Sequence, residues 1–245
     1  MSVSLFKRFN SCEVAGKYGS FKSSKAMLIG SYVDAFVEGT LEQFIADHPY
    51  VKPKDAEEGH INIFVASGEL SADFKMAEDI CKAIKEDDVF MQFMSGEKQT
   101  IMTGEIKGVP FKIKMDSYSK GVAINDLKVL ATVTSSDGQY YDFISRWGYD
   151  TQLACYQEIV RQNTNEQLPC FICAVTKETP INKVIVNIPQ VVLDRALYRV
   201  EERIERIWDI VNDKVAPIGC GVCETCISMR KETPLISMYD FNDFM

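Results

Sequence analysis

Asp116, Asp126 and Lys128 are the residues of this 245-residue chain whose types and spacing best suit them to chemistry. Phe111, Ile113 and Met115 alternate with Lys112, Lys114 and Asp116, which predicts a strand with one apolar and one polar face. Asp116 ends that strand on the polar face. Asp126 and Lys128 are two apart on the next strand and so share a face. Lys107-Gly108 and Lys120-Gly121 supply tight turns, so three antiparallel strands are expected between Gly104 and Leu130. Two carboxylates brought together repel unless a cation lies between them, and their oxygens suit a hard ion such as Mg²⁺ or Mn²⁺. Such an ion polarises a phosphate and lowers the pKa of a bound water. Lys128 beside it can orient that water or stabilise charge developing on the phosphate. The chemistry expected of the trio is phosphodiester hydrolysis. An Asp-Leu-Lys tripeptide alone says little; its place after an Asp-terminated strand and a short hairpin makes it specific.

A second constellation is Cys220-Gly221-Val222-Cys223-Glu224-Thr225-Cys226, in a loop opened by Pro217 and Gly219. Three thiols at this spacing can wrap one metal centre. Iron–sulfur clusters and structural Zn²⁺ sites both take four ligands, so a fourth must come from elsewhere in the chain. Cys170 and Cys173 are discounted as ligands: on a strand, residues three apart face opposite sides. Like Cys81 and Cys155, they read as buried small apolar side chains.

Helical spacing of apolar residues predicts helices over Ser4 to Lys17, Ser23 to Glu38, Leu41 to Ala46 (capped by Thr40), Ala72 to Lys85, Asp142 to Gln162 and Pro189 to Asn212. Cys170 to Thr176 and Lys183 to Ile188 read as a β-hairpin. His48 to His60 reads as an exposed connecting loop, and Phe90 to Ile101 leads into the central strands. On the long helix, Gln152 and Tyr156 lie four apart on one face. The tail from Leu235 to Met245 mixes apolar residues with Asp240 and Asp243; it either docks on a partner or packs back on its own domain.

The length suits one domain. We divide it into a helical N-terminal part (1–90), the catalytic sheet and helix (91–190), and a C-terminal helix with the cysteine loop and tail (191–245). No apolar run approaches the ~20 residues that span a membrane. No apolar segment follows Phe6-Lys7-Arg8 as a secretion signal would require, so a cytoplasmic place with reduced thiols is expected. A net charge of −8 argues against a broad non-specific DNA-binding surface. Lys107, Lys112, Lys114, Lys120 and Lys128 could still form a local basic groove.

Asp116 with Asp126-Leu127-Lys128 resembles the catalytic core of PD-(D/E)XK nucleases, and Gln152-Leu153-Ala154-Cys155-Tyr156 resembles the Gln-x-x-x-Tyr motif that follows it in RecB-like members. Ser4-Leu5-Phe6-Lys7-Arg8-Phe9-Asn10-Ser11-Cys12 is similar to the N-terminal segment of members with an iron–sulfur cluster, such as AddB and the CRISPR adaptation exonucleases. There, one cysteine precedes the core and three follow it. The order of all these matches is most similar to phage and prophage exodeoxyribonucleases of the RecE, or exonuclease VIII, type.

The resemblance implies an α/β fold with a mixed central sheet flanked by helices and both chain ends joined by a metal cluster. It implies Asp116 and Asp126 as ligands of Mg²⁺ or Mn²⁺, Lys128 as the residue positioning water, and Gln152 and Tyr156 as DNA contacts. Cys12, Cys220, Cys223 and Cys226 would hold a 4Fe–4S cluster, with Zn²⁺ as the alternative. One departure is Asp34, four residues after Gly30, where RecB-like members carry His; its carboxylate could still ligate metal. The implied activity is 5′ to 3′ exonuclease action on duplex ends in a bacterial host cell, supplying single strands to a RecT-type annealing protein. A ring-shaped homo-oligomer is open by analogy. Alternatives are a single-strand or flap nuclease, or a catalytically silent metal-cluster module that binds DNA.

Overall fold

The structure is a computed structural model of the chain, and it describes residues 1–20, 23–57, 59–135, 138–140, 142–235 and 237. All of the tail from Leu235 to Met245 except Leu235 and Ser237 lies outside the described residues.

Five strands form one mixed sheet in the order β1 (Glu97–Ile106), β2 (Val109–Ser119), β3 (Ala123–Leu130), β4 (Cys170–Thr176), β5 (Lys183–Ile188). All neighbours are antiparallel except β3 and β4, which are parallel. A parallel pair needs a crossover. Here it contains α7 (Phe143–Trp147) and α8 (Tyr149–Thr164). The turn before β2 runs through Lys107 and Gly108, both at positive φ (49° and 73°), the pairing a two-residue hairpin of right-handed twist requires.

Two cores flank the sheet. On one face, α1 (Val3–Ser11), α8 and α9 (Gln190–Val211) bury Phe6, Leu153, Ile159, Val200 and Ile204 against Phe111, Ile113, Met115 and Cys170. On the other, α3 (Lys25–Glu38), α5 (Ala72–Lys85) and α6 (Asp88–Phe93) bury Tyr32, Val33, Phe74, Ile80, Cys81 and Phe90 against Leu127, Cys173 and Val175. Cys170 and Cys173 thus enter opposite cores, as strand alternation requires. α4 (Leu41–Ala46) follows α3, which ends at Gly39 in the left-handed conformation (φ 77°). The Thr40 side chain does not cap α4.

Two expected helices are each broken in two. Ser4 to Lys17 is α1 and α2 (Glu13–Tyr18), separated by Cys12 in extended conformation (φ −163°, ψ 120°). Asp142 to Gln162 is α7 and α8, separated by Gly148 at φ 63°. Apolar spacing carries across both breaks and so hides them. The expected basic groove along the hairpin does not form. Lys107 and Lys120 sit at opposite ends of the 11-residue β2, roughly 35 Å apart at strand rise. Lys112 and Lys114 are exposed on the strand between them.

Candidate active site and thiolate centre

The alternation of β2 is regular from Val109 to Met115 and then resets. Met115 and Tyr118, three residues apart, both enter the same core, which an unbroken strand forbids. Opposite this point β1 is distorted too: Gln99 has φ 52°, and the Gln99–Asp116 pair is missing from an otherwise continuous ladder. On the other side, β2 pairs with β3 only over Ser117–Ser119. Asp116 therefore sits where β2 peels away from both neighbours, the kind of local kink that re-aims a side chain. Its Oδ2 accepts the backbone N–H of Leu127 at 3.0 Å.

Asp126 is 1% exposed and pairs with Lys128, whose ammonium abuts Oδ2. Gln152 Nε2, from the first turns of α8, donates to Oδ1 at 2.7 Å and to the Tyr156 hydroxyl at 3.2 Å. Oδ2 itself is buried and takes no well-directed hydrogen bond. A buried carboxylate oxygen that meets only an ammonium, beside a second carboxylate, fits a cation ligand. Burial pushes the Asp126 carboxyl up, and Asp116 adds to that while Lys128 opposes it. Burial would pull Lys128 down, but Asp126 and Asp116 outweigh it and hold the ammonium above the ordinary lysine range.

Helix α3 brings Asp34 to the same place. Its carboxyl is pushed up to about 8 by burial, then by Asp116 and Asp126, with Lys128 opposing. One turn later, Glu38 is raised by burial and by Asp116, against Lys114, and accepts from the Gln99 amide. Gln99 Oε1 is buried with no hydrogen bond. Sequence reading missed Glu38, although its helical spacing from Asp34 was visible.

Asp34, Lys128 and Gln152 line one cleft of about 720 Å³. Asp34 and Asp116 also line a smaller one of about 380 Å³ with Glu38, Gln99 and Lys114. The structure thus gathers Asp34, Asp116, Asp126, Lys128 and Gln152. Tyr156 is buried and meets the site through Gln152, while Glu105 is exposed on β1 and bonded through its backbone to Gln162. The carboxylates do not converge as tightly as the cysteines. Among the described residues, Cys12, Cys220, Cys223 and Cys226 are the only group of three or more such ligands whose atoms lie within 4.8 Å of one another.

The break at Cys12 explains the thiolate centre. An extended residue between α1 and α2 turns its Sγ toward the loop after α9, where Cys226 lies on α10 (Glu224–Met229). Cys12 Sγ lies 3.5 Å from Cys226 Sγ and 3.7 Å from Cys223 Sγ, and Cys220 Sγ lies 4.0 Å from Cys226 Sγ. Sulfurs placed tetrahedrally at ~2.3 Å from one ion would be roughly 3.8 Å apart. Backbone N–H groups of Cys220 and Cys223 point at Cys12 Sγ and Cys220 Sγ (3.4 and 3.3 Å). Burial opposes ionisation of Cys12, but hydrogen bonds from the Ala15 and Cys220 backbones and the neighbouring thiols bring it down to about 6. Metals bind thiolates, so the donor set fits a metal. Beside it, Glu13 is buried and accepts from Arg206 twice at 2.8 Å and from the Ile218 N–H at 2.8 Å, clamping α2, α9 and the cysteine loop together.

A family model described as "PDDEXK-like domain of unknown function (DUF3799)" matches residues 2–229. The chain belongs to this family. Its α/β fold is accordingly the PDDEXK-like one expected from the sequence. The chain is also similar to a crystal structure from Eubacterium rectale described as "Putative exonuclease", at 44% identity and a TM-score of 0.84, over 98% of this chain and 91% of that one. A second solved structure, of SSO0001, aligns at 10% identity with a TM-score of 0.33, over 91% of this chain and 95% of that one. No curated protein matches the chain. Among the described residues, no helix of this PDDEXK-like protein is long and apolar enough to cross a membrane.

Proposed function

We propose that this PDDEXK-like protein is a metal-dependent DNA exonuclease acting at duplex ends. The observation that carries the reading is the buried Asp126: Gln152 holds one oxygen, and the other meets the Lys128 ammonium beside Asp116. The family membership and the name of the Eubacterium rectale relative support nuclease activity. Asp116 and Asp126, with Asp34 as a further donor, would hold Mg²⁺ or Mn²⁺, which when bound polarises the scissile phosphate and acidifies a water. Lys128 stays protonated between two carboxylates, so it orients the attacking oxygen and stabilises charge on the phosphate and does not itself take a proton. Gln152 fixes the rotamer of Asp126. Gln152 also lines the cleft, which supports it as a contact to the DNA strand, with Tyr156 bonded to its amide.

The resemblance to RecE-type enzymes supports 5′ to 3′ polarity, a role in phage recombination with a RecT-type annealing partner, a place in the bacterial cytoplasm, and a ring-shaped oligomer. The four-cysteine centre is structural, because the hydrolytic site has its own oxygen ligands. Its order along the chain supports a 4Fe–4S cluster. Its sulfur separations support a single tetrahedral ion such as Zn²⁺.

The test is digestion with Mg²⁺ of DNAs labelled at either 5′ or 3′ end: linear duplex, closed circle, single strand and flap. Degradation of linear duplex with loss of the 5′ label first, and sparing of the circle, is expected. Cleavage confined to flaps or single strands would replace this reading with that of a flap nuclease. No cleavage of any substrate would leave a silent DNA-binding module.

A further inference from the structure

The catalytic cleft does not end at Lys128. Its wall includes Trp147, and Trp147 also lines a neighbouring cleft of about 880 Å³ between α1, the α7–α8 turn and α9. The charged side chains of this second cleft are Lys7, Arg146, Arg195, Arg199 and a single acid, Asp150. Asp150 is 3% exposed and neutralised by Arg199 Nη2 at 2.6 Å, so the open wall is positive. Arg195 is exposed, and its side chain makes no hydrogen bond or ion pair to another described residue. The smaller cleft beyond Asp116 has the opposite sign: Asp34, Glu38, Asp47 and Asp116 face Lys114 alone.

The junction between the clefts is built. Lys7 Nζ donates to the Trp147 carbonyl at 2.5 Å and lies 5.5 Å over the Tyr149 ring, with Lys128 5.3 Å over the same ring. Lys7 and Lys128 share the Tyr149 ring, so two ammoniums stand in line from the catalytic lysine into the basic cleft. Gly148 lets the chain turn there, and a Cβ on it would stand 3.2 Å from Lys7 Cε. Trp147 itself is 51% exposed, with the Arg146 guanidinium 5.8 Å over its ring.

Resting on the nuclease reading, we propose that one unpaired DNA strand runs from Lys128 past Trp147 into this basic cleft. Its phosphates lie against Lys7, Arg146 and Arg195, and a base stacks on Trp147. A half-exposed indole offers its face only to a base outside a duplex, because paired bases already cover one another's faces. A protein of net charge −8 repels polyanions generally, so its contacts to phosphate must be concentrated like this. With Asp34 and Asp116 engaged on the metal, Glu38 and Asp47 against Lys114 still leave the far cleft without a basic surplus to hold a continuing chain of phosphates. The strand is therefore held on one side of the scissile bond, and the piece beyond it is released.

Binding of a dT12 oligonucleotide to the full chain, without added Mg²⁺ or Mn²⁺, tests this by tryptophan fluorescence. Quenching is expected, and Trp147→Leu should abolish it, leaving Trp208 unresponsive. Trp147→Leu should also weaken binding about tenfold. Arg146→Ala with Arg195→Ala should weaken it and lower the slope of log affinity against log salt by about 1.4, two phosphate contacts' worth. Lysine at both positions should restore the slope, which separates lost contacts from lost folding. Unchanged affinity and slope in the alanine pair, persistent quenching in Trp147→Leu, or equal competition by a covalently closed duplex circle would each overturn the proposal. Cleavage of linear DNA is scored separately: dT12 binding as described without cleavage removes the nuclease reading alone, and cleavage with normal binding by the variants removes the strand path alone.

Discussion

Asp116 Oδ2 accepts the backbone N–H of Leu127 at 3.0 Å, so a side chain stands where the β2–β3 ladder would place a carbonyl. The same residue lies opposite Gln99, whose left-handed backbone opens the ladder on the β1 side. A carboxylate freed from both strands yet anchored by one backbone donor is presented to the cleft without being mobile.

This geometry predicts different stability costs for two equally inactive variants. Asp116→Ala and Asp126→Ala should each reduce cleavage by on the order of 10³ or more, since each removes a metal ligand. Asp116→Ala should also cost about 1–2 kcal/mol, because the Leu127 N–H loses its acceptor. Asp126→Ala should cost more, roughly 3 kcal/mol, because the Lys128 ammonium and the Gln152 amide both lose a buried acceptor. Lys128→Ala should lower turnover on the order of 10²-fold with Mg²⁺ binding retained. Urea unfolding and metal titration of the three variants check this, and near-normal cleavage by either Asp variant would show that the site is misassigned.

Gln152→Ala should act through Asp126 more than through DNA. Its amide bonds the carboxylate at 2.7 Å, so turnover should fall about 10–100-fold with a smaller change in DNA affinity. Steady-state kinetics set beside binding in Ca²⁺ would separate the two effects. A loss confined to affinity would make Gln152 a strand contact instead.

Asp34 gives the metal-free protein a pH dependence of known sign. Its carboxyl is raised to about 8 from the ordinary value near 4, so the folded state binds its proton more tightly than the unfolded chain. The stability it contributes is fully present below about pH 4 and lost as pH rises through about 8. Asp126 contributes in the same direction. Melting temperature should therefore fall over this range, and Mg²⁺ should recover more stability at the alkaline end. Asp34→Asn should make the slope shallower; an unchanged slope would mean that its carboxyl is not held protonated.

Cys12→Ser should remove the metal and lower the melting temperature, because Cys12 is the thiol that the N-terminal helices contribute to a centre whose other thiols lie more than two hundred residues away. Protein purified without air decides the metal: a brown chromophore with iron and sulfide identifies 4Fe–4S, and one zinc per colourless chain identifies the tetrahedral ion. Unchanged metal content in Cys12→Ser would remove it from the ligand set.

Glu13→Ala should destabilise by roughly 3 kcal/mol even with the metal bound, since Arg206 and the Ile218 N–H lose a buried acceptor. Differential scanning calorimetry of the loaded variant measures this. A shift under 1 °C would show that the clamp adds nothing to the metal centre.

The sequence by itself determined whatever depends on neighbours within a few residues. The helix over Ala72–Lys85 follows from apolar spacing at Phe74, Ala77, Ile80, Cys81 and Ile84, all of which are buried. The hairpin at Lys107-Gly108 follows from a glycine placed between two strands, and Asp126 with Lys128 from a period of two. The tertiary structure alone decided where those patterns are interrupted. Cys12 leaves the helix to meet cysteines from the other end of the chain, and β2 kinks at Asp116 opposite Gln99. Lys7, Arg146 and Arg195 come from three separate helical segments, yet they line one cleft. Periodicity reports which side of its own element a residue occupies. It is silent on which distant element that side will face, because that is settled by packing two cores against one sheet and by the partners a buried charge or thiol must find.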